Sequence, residues 1–176
     1  MPVYHVHFSC APDYNARRLP HRPAHLAQLV GLRDDGRVVA GGPELDGSAA
    51  HIFYRVADRA ELDRLIADNV FQRAELFVAH AARAFADFVE PIERLPYDAG
   101  WKVTLVEGAP ADRVRAGTAL ARLRAEKLVN LGGFFVDGSA LAVVRAPGVA
   151  DAVAVLETAG GWDAARLTAR PWSQTL

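Results

Sequence analysis

The sequence predicts an α+β chain of two ferredoxin-like (βαββαβ) units, with their open sheet faces brought together as a pseudo-dimer within one chain. Three observations predict it. Strand-like alternation and helical stripes follow in the order strand, helix, strand, strand, helix, strand. That order then recurs, and the two halves align with each other. With Arg22 placed over Arg113, RPAHLAQLVGLRDDGRVVAGGPELDG lies over RVRAGTALARLRAEKLVNLGGFFVDG, so that Leu29 meets Leu120, Gly42 meets Gly133 and the closing Asp-Gly pairs coincide. A split βαβ unit covers one sheet face with its helices and leaves the other open, which gives two units in one chain a reason to meet through those faces. The rival arrangement is two independent beads joined by the LPYDAG linker, residues 95–100. The expected domains are residues 1–96 and 101–176.

Each element has its own signal. VYHVHFS alternates Tyr4, Val6 and Phe8 with His5, His7 and Ser9, the period of a half-buried strand. The proline-containing stretch from Ala11 is aperiodic and reads as a loop leading to a helix with Pro23 in its first turn. Leu26, Leu29, Val30 and Leu32 form that helix's stripe, which Gly36 stops. RVVAGGPEL reads as a short strand broken at Gly41-Gly42-Pro43. AAHIFYRVA alternates again, with Ile52, Tyr54 and Val56 on one face and His51, Phe53 and Arg55 on the other. Asp58 caps a helix carrying Leu62, Leu65 and Ile66, a second helical piece is expected from about Phe71 to Ala84, and FADFVEPIERL is the last strand. In the second half, KVTLVEG is a strand, DRVRAGTALARLRAEK a helix with Val114, Leu120 and Leu123, and VNLGGFFVDGSALAVVRA a hairpin around Asp137-Gly138. VADAVAVLETAG is the closing helix and AARLTARPWS the closing strand.

Composition excludes several classes. The 20 Lys and Arg balance 21 Asp and Glu to a net charge of −1, which offers no general attraction for nucleic acid or an anionic membrane. Nearly every cation is Arg, but they are scattered along the chain, as composition bias makes them, with no phosphate-binding cluster. The lone Cys10 cannot form an internal disulfide, no apolar run reaches the ~18 residues of a membrane span, and the first ten residues alternate where a secretory signal would not. A cytoplasmic protein with a small-molecule partner is the expectation. Gly41-Gly42-Pro43 lacks the helix start and spacing of a phosphate loop, and no cofactor is expected. Trp101, Trp162 and Trp172 read as packing residues.

The strand histidines carry the clearest chemistry. His5 and His7 share one strand face, opposite the one that meets the helices, and His51, Phe53 and Arg55 point the same way on the third strand. In the ferredoxin-like order those strands are neighbours, so the five residues are expected to line one pocket with Phe53 as its apolar floor. Three imidazoles on one face also raise a metal site, but no carboxylate ligand is identifiable from the pattern, and no metal is assigned.

Pro20-His21-Arg22-Pro23-Ala24-His25-Leu26, then Gly41-Gly42-Pro43 and Asp68-Asn69-Val70-Phe71, with Arg170-Pro171-Trp172 near the end of the second half, resemble the motifs of the YCII-related family. The resemblance covers the first half in order and spacing, and the second mainly in layout. It implies a pseudo-dimeric α/β barrel and a His and Asp active site, which fall here on His25 and Asp68. The segment after Asp68 departs from the family's Asp-Pro-aromatic pattern, and His25 aligns with Ala116, so one site per chain is implied, with a degenerate second half. Family members of known activity, such as chlorohydroxyhydroquinone dehydrochlorinase, act on small aromatic compounds.

The functional expectation is a lyase or isomerase working on a small organic substrate, with aromatic compounds as the class the resemblance implies, by histidine acid–base chemistry. His25 is its acid or base and Asp68 the group that orients it, while Arg22, which could instead pair with a surface acid, anchors an anionic group of the substrate. A noncatalytic ligand-binding or protein-interaction module is the alternative, and a metal-binding protein built on the strand histidines the lesser one. The chain is expected as a monomeric pseudo-dimer or a homodimer.

Overall fold

The computed structural model describes residues 1–92 and 100–176, without the Trp101 side chain. The expected linker lies, apart from Gly100, outside the described residues. The fold is α+β and contains two ferredoxin-like units. The first holds Met1–Ala84 with Gln174–Leu176, and the second residues 85–92 with Gly100–Ser173.

In the first unit β1 (Val3–Cys10), β2 (Val38–Pro43), β3 (Ala49–Arg55) and the first part of β4 (Phe77–Val89) form an antiparallel sheet in the order β2-β3-β1-β4. The loop after β1 contains a short helix, α1 (Tyr14–Arg17), before α2 (Arg22–Asp34) begins with Pro23 in its first turn. Asp58 caps α3 (Arg59–Asp68) by accepting a hydrogen bond from the Glu61 N–H at 2.8 Å. The helices cover one sheet face. Val6, Phe8, Ile52 and Tyr54 meet Leu29, Leu32, Leu62 and Ile66 there, and Leu176 joins the same core. Each such side chain, once fully buried, contributes roughly 1.5–3 kcal/mol.

Two expectations change in this unit. The helical piece placed at Phe71–Ala84 is only α4 (Val70–Arg73), and the residues from Phe77 are already strand β4, so the strand read as FADFVEPIERL starts well before Phe85. Its alanines favour a helix locally, but pairing along β1, with His5 opposite Arg83 and His7 opposite Ala81, overrides that preference. The Gly41-Gly42-Pro43 segment does not break β2, which runs through it with Gly42 opposite His51 and Pro43 opposite Ala50.

The second unit orders β5 (Trp101–Gly108), β6 (Val129–Phe135), β7 (Ala140–Val144) and β8 (Leu167–Gln174) as β6-β7-β5-β8. The later part of β4 pairs with the β6 edge, Phe85 opposite Phe135 and Val89 opposite Gly132. Helices α5 (Arg113–Ala125) and α6 (Val149–Ala159) bury Leu120, Leu123 and Leu156 against Val106, Ala142 and Val144. Val114, expected in the buried stripe, is exposed, and Ala116 and Ala119 take the inward positions. The aligned helices α2 and α5 end alike. Gly36 and Lys127 both take left-handed φ, +76° and +61°, and the next N–H in each case returns to a leucine carbonyl, Arg37 to Leu32 and Leu128 to Leu123.

Candidate functional site

The sheet face of the first unit that turns away from the helices carries the expected residues. Register places His5 opposite Phe53 and His7 opposite His51, so alternation sets His5, His7, His51, Phe53 and Arg55 on one side. His5, His51 and Phe53 are buried, and His7 and Arg55 are half-buried. The rings are in contact. His5 and His51 lie edge to edge and nearly coplanar, with centroids 5.2 Å apart and planes 8° apart, while His7 lies tilted 5.1 Å from His51, and His5 meets Phe53 at 5.1 Å.

A residue outside the sequence expectations completes this group. Glu44 follows Pro43 at the end of β2, and its N–H closes the hairpin on the Ala49 carbonyl at 2.9 Å. It therefore sits diagonally across from His51 on the same face, and Gly42, directly opposite His51, has no side chain to intervene. Glu44 Oε1 lies 3.0 Å from His51 Nε2, and His51 Nδ1 lies 2.9 Å from His5 Nε2. With the His51 Nε2–H donating to Glu44 and the His5 Nε2–H donating to His51 Nδ1, the three side chains form one hydrogen-bonded line. One ligand-type atom from each of His7, Glu44 and His51 also lies within 4.8 Å of the others.

His25 is elsewhere, on the helix side of the same sheet. It is buried in the first turn of α2, stacked on Phe71 at 3.7 Å with planes 8° apart and edge-on to Phe77. Burial disfavours the imidazolium and brings its pKa down to about 4; a side-chain hydrogen bond with Asn69 acts in the opposite direction, and Arg22 lowers it further. Its Nδ1 has no hydrogen-bond partner among the described residues.

The expected partner, Asp68, does not reach it. Gln28 clamps the junction of α3 and α4, its Nε2 donating to the Asp68 carbonyl at 2.8 Å and its Oε1 accepting from the Val70 N–H at 3.0 Å. That backbone path leaves the Asp68 side chain in solvent and turns Asn69 inward. Asn69 caps α4 by accepting from the Phe71 N–H at 2.9 Å, and it also lies against the fully buried Tyr54, whose hydroxyl burial pushes up in pKa. The carboxylate assigned to orient His25 is thus replaced by an uncharged amide one residue later. Arg22 is half-buried at the start of α2.

Among the described residues the second unit has no counterpart to the histidine face. Leu105, Leu141 and Val143, which alternate with its helix-side core residues, are buried and apolar, and Ala116 stands where His25 aligns.

No protein-family model matches the chain, and no curated protein sequence matches it. Solved structures do. A proposed monooxygenase of Lactobacillus acidophilus superposes with a TM-score of 0.63 at 10% identity, over 99% of this chain and 94% of that one. The chain shares the fold of the dimeric α/β-barrel proteins. A proposed monooxygenase of Fusobacterium nucleatum gives a TM-score of 0.55 at 9% identity, over 99% of this chain and 93% of its own. A heme-binding protein of Thermus thermophilus gives 0.55 at 11%, over 99% and 92%. Among the described residues no helix is long and apolar enough to cross a membrane.

Proposed function

We propose that the protein is a small-molecule enzyme of the lyase or isomerase type, with the histidine face of the first unit as its acid–base centre. The observation that carries this reading is the line from the half-buried Glu44 through the buried His51 to the buried His5, with separations of 3.0 and 2.9 Å. A carboxylate held against an imidazole fixes its tautomer and favours its protonated form, so a proton can move along the line without displacing a heavy atom. His7, half-buried beside His51, is the imidazole placed to meet a substrate, and the half-buried Arg55 on the same face supplies a guanidinium for an enolate, phenolate or carboxylate, with the buried Phe53 packed against His5. Elimination and isomerisation need only such proton transfer.

The reading keeps the kinship with the YCII-related family as part of the proposal and moves the chemistry from His25 and Asp68 to the strands. A ring held neutral by burial, stacked on Phe71 and lacking a carboxylate, is a poor acid–base group near neutral pH. The test is turnover, and proton exchange with deuterated solvent, on a panel of small chlorinated and hydroxylated aromatics. Positioned acid–base groups contribute roughly 10²–10⁴-fold, so His7→Gln and Glu44→Gln are expected to lose activity on about that scale while His25→Leu retains it. Full activity in both strand variants, or binding of panel members without exchange or turnover, would overturn the reading, the latter in favour of a noncatalytic binding module.

A further inference from the structure

We infer that His7, His51 and Glu44 form a binding site for a divalent transition-metal ion. Two imidazoles and one carboxylate are a donor set suited to Zn²⁺, Fe²⁺ or Co²⁺, and a set of three leaves coordination positions open to water or substrate. Ligand atoms about 2.0–2.2 Å from such an ion stand roughly 3–4 Å from one another. The separation of 3.0 Å between His51 Nε2 and Glu44 Oε1 already meets that spacing, and all three donor atoms fall within 4.8 Å of one another.

The surroundings fit as well. The donors stand on two paired strands and the hairpin that joins β3 to β2, and His7 and His51 are direct cross-strand partners, so the backbone fixes their spacing. Metal-bound histidines ordinarily donate their second ring N–H to an outer partner that sets the tautomer. His5 Nε2, 2.9 Å from His51 Nδ1, is placed to be that partner. On binding, the ion takes the position of the proton between Glu44 and His51. The His51 proton then resides on Nδ1 and donates to His5 Nε2, the His5 proton resides on its Nδ1, and neither ring gains or loses charge.

The inference goes beyond the catalytic proposal and does not need it: the donors would hold the ion whether or not a reaction follows, and the proton line from Glu44 through His51 belongs to the ion-free protein. The experiment uses the full chain, purified without added metal and stripped with a chelator. Co²⁺ binding is followed by its visible absorption and Zn²⁺ binding by calorimetry, in wild type, His7→Gln, Glu44→Gln and, as a control for surface histidines, the exposed His80→Ala. Removing even an outer partner costs roughly 10–100-fold in affinity, so losing a ligand is expected to weaken binding by about 100-fold or more, with unchanged circular dichroism. Stoichiometric binding that survives His80→Ala and fails in both ligand variants supports the site. Substoichiometric binding, undiminished binding in Glu44→Gln or His7→Gln, or loss in His80→Ala would overturn it. Stoichiometric metal binding, with no turnover on the aromatic panel by the stripped protein, would remove the catalytic reading alone, and turnover by protein that binds no ion would remove this one alone.

Discussion

Replacing His25 by leucine should flatten the acid side of the protein's stability profile. The folded pKa of about 4 lies below the ordinary value of 6.5 because burial against Phe71 and Phe77 disfavours the charged ring, with Arg22 lowering it further and the Asn69 hydrogen bond opposing both. The unfolded chain takes up the proton as pH falls through about 6.5, whereas the folded protein resists until about 4. Stability contributed by the neutral ring is therefore complete above pH 6.5 and is lost through the interval down to about pH 4. At about 1.4 kcal/mol per pKa unit, that interval is worth roughly 3 kcal/mol. Other groups titrate over the same range, so the informative quantity is the difference between wild type and His25→Leu. Denaturant unfolding followed by far-ultraviolet circular dichroism, from pH 7.5 to 4, should show wild type losing about 3 kcal/mol more than the variant. Parallel losses in the two proteins would refute the reasoning, because they would mean that the ring keeps its ordinary pKa when folded.

Three further outcomes follow from neighbouring geometry. Asn69→Ala, which removes the cap of α4 and the amide beside His25, should cost about 2 kcal/mol in the same assay, while Asp68→Ala, exposed, should stay within about 0.5 kcal/mol of wild type. Gly133→Ala should cost about 3 kcal/mol and speed hydrogen exchange at Phe88 and Val89, because a Cβ at this residue of φ +154° would collide with the Asp87 carbonyl. The Cys10 thiol, whose pKa burial pushes up to about 12 with Glu44 adding to the effect, should react with a disulfide reagent at pH 8 only after denaturation; rapid labelling of the folded chain would contradict its placement.

The fold was legible where pattern and packing agree. Alternation in VYHVHFS and AAHIFYR located β1 and β3, and it also placed His5, His7, His51, Phe53 and Arg55 on one face, since side-chain direction in a strand follows from position alone. The start of β4 was not legible, because an alanine-rich segment favours a helix until a neighbouring strand claims its backbone hydrogen bonds. Glu44 was hidden for a related reason. Its proximity to His51 depends on the hairpin register, and a carboxylate beside a turn ordinarily signals only solvent exposure. Asn69 reads in the sequence only as a departure from the motif, because the aspartate before it is the better match to a catalytic residue, and only the Gln28 clamp decides which of the two faces inward.

The return of residues 174–176 to the first unit bears on how the chain reaches its fold. The N–H groups of Thr175 and Leu176 donate to the Gly41 carbonyl at 2.9 and 3.1 Å, and the Leu176 side chain is sealed into the core built largely by the first 77 residues. During synthesis the β2 edge therefore emerges long before the segment that occupies it, across a sequence separation of 134 residues for the Thr175 contact to Gly41. For that interval an unpaired strand edge is open to the edges of other nascent chains. A fragment ending before residue 174 should thus be more adhesive than the chain that carries residues 174–176, because those residues occupy the β2 edge of the first unit.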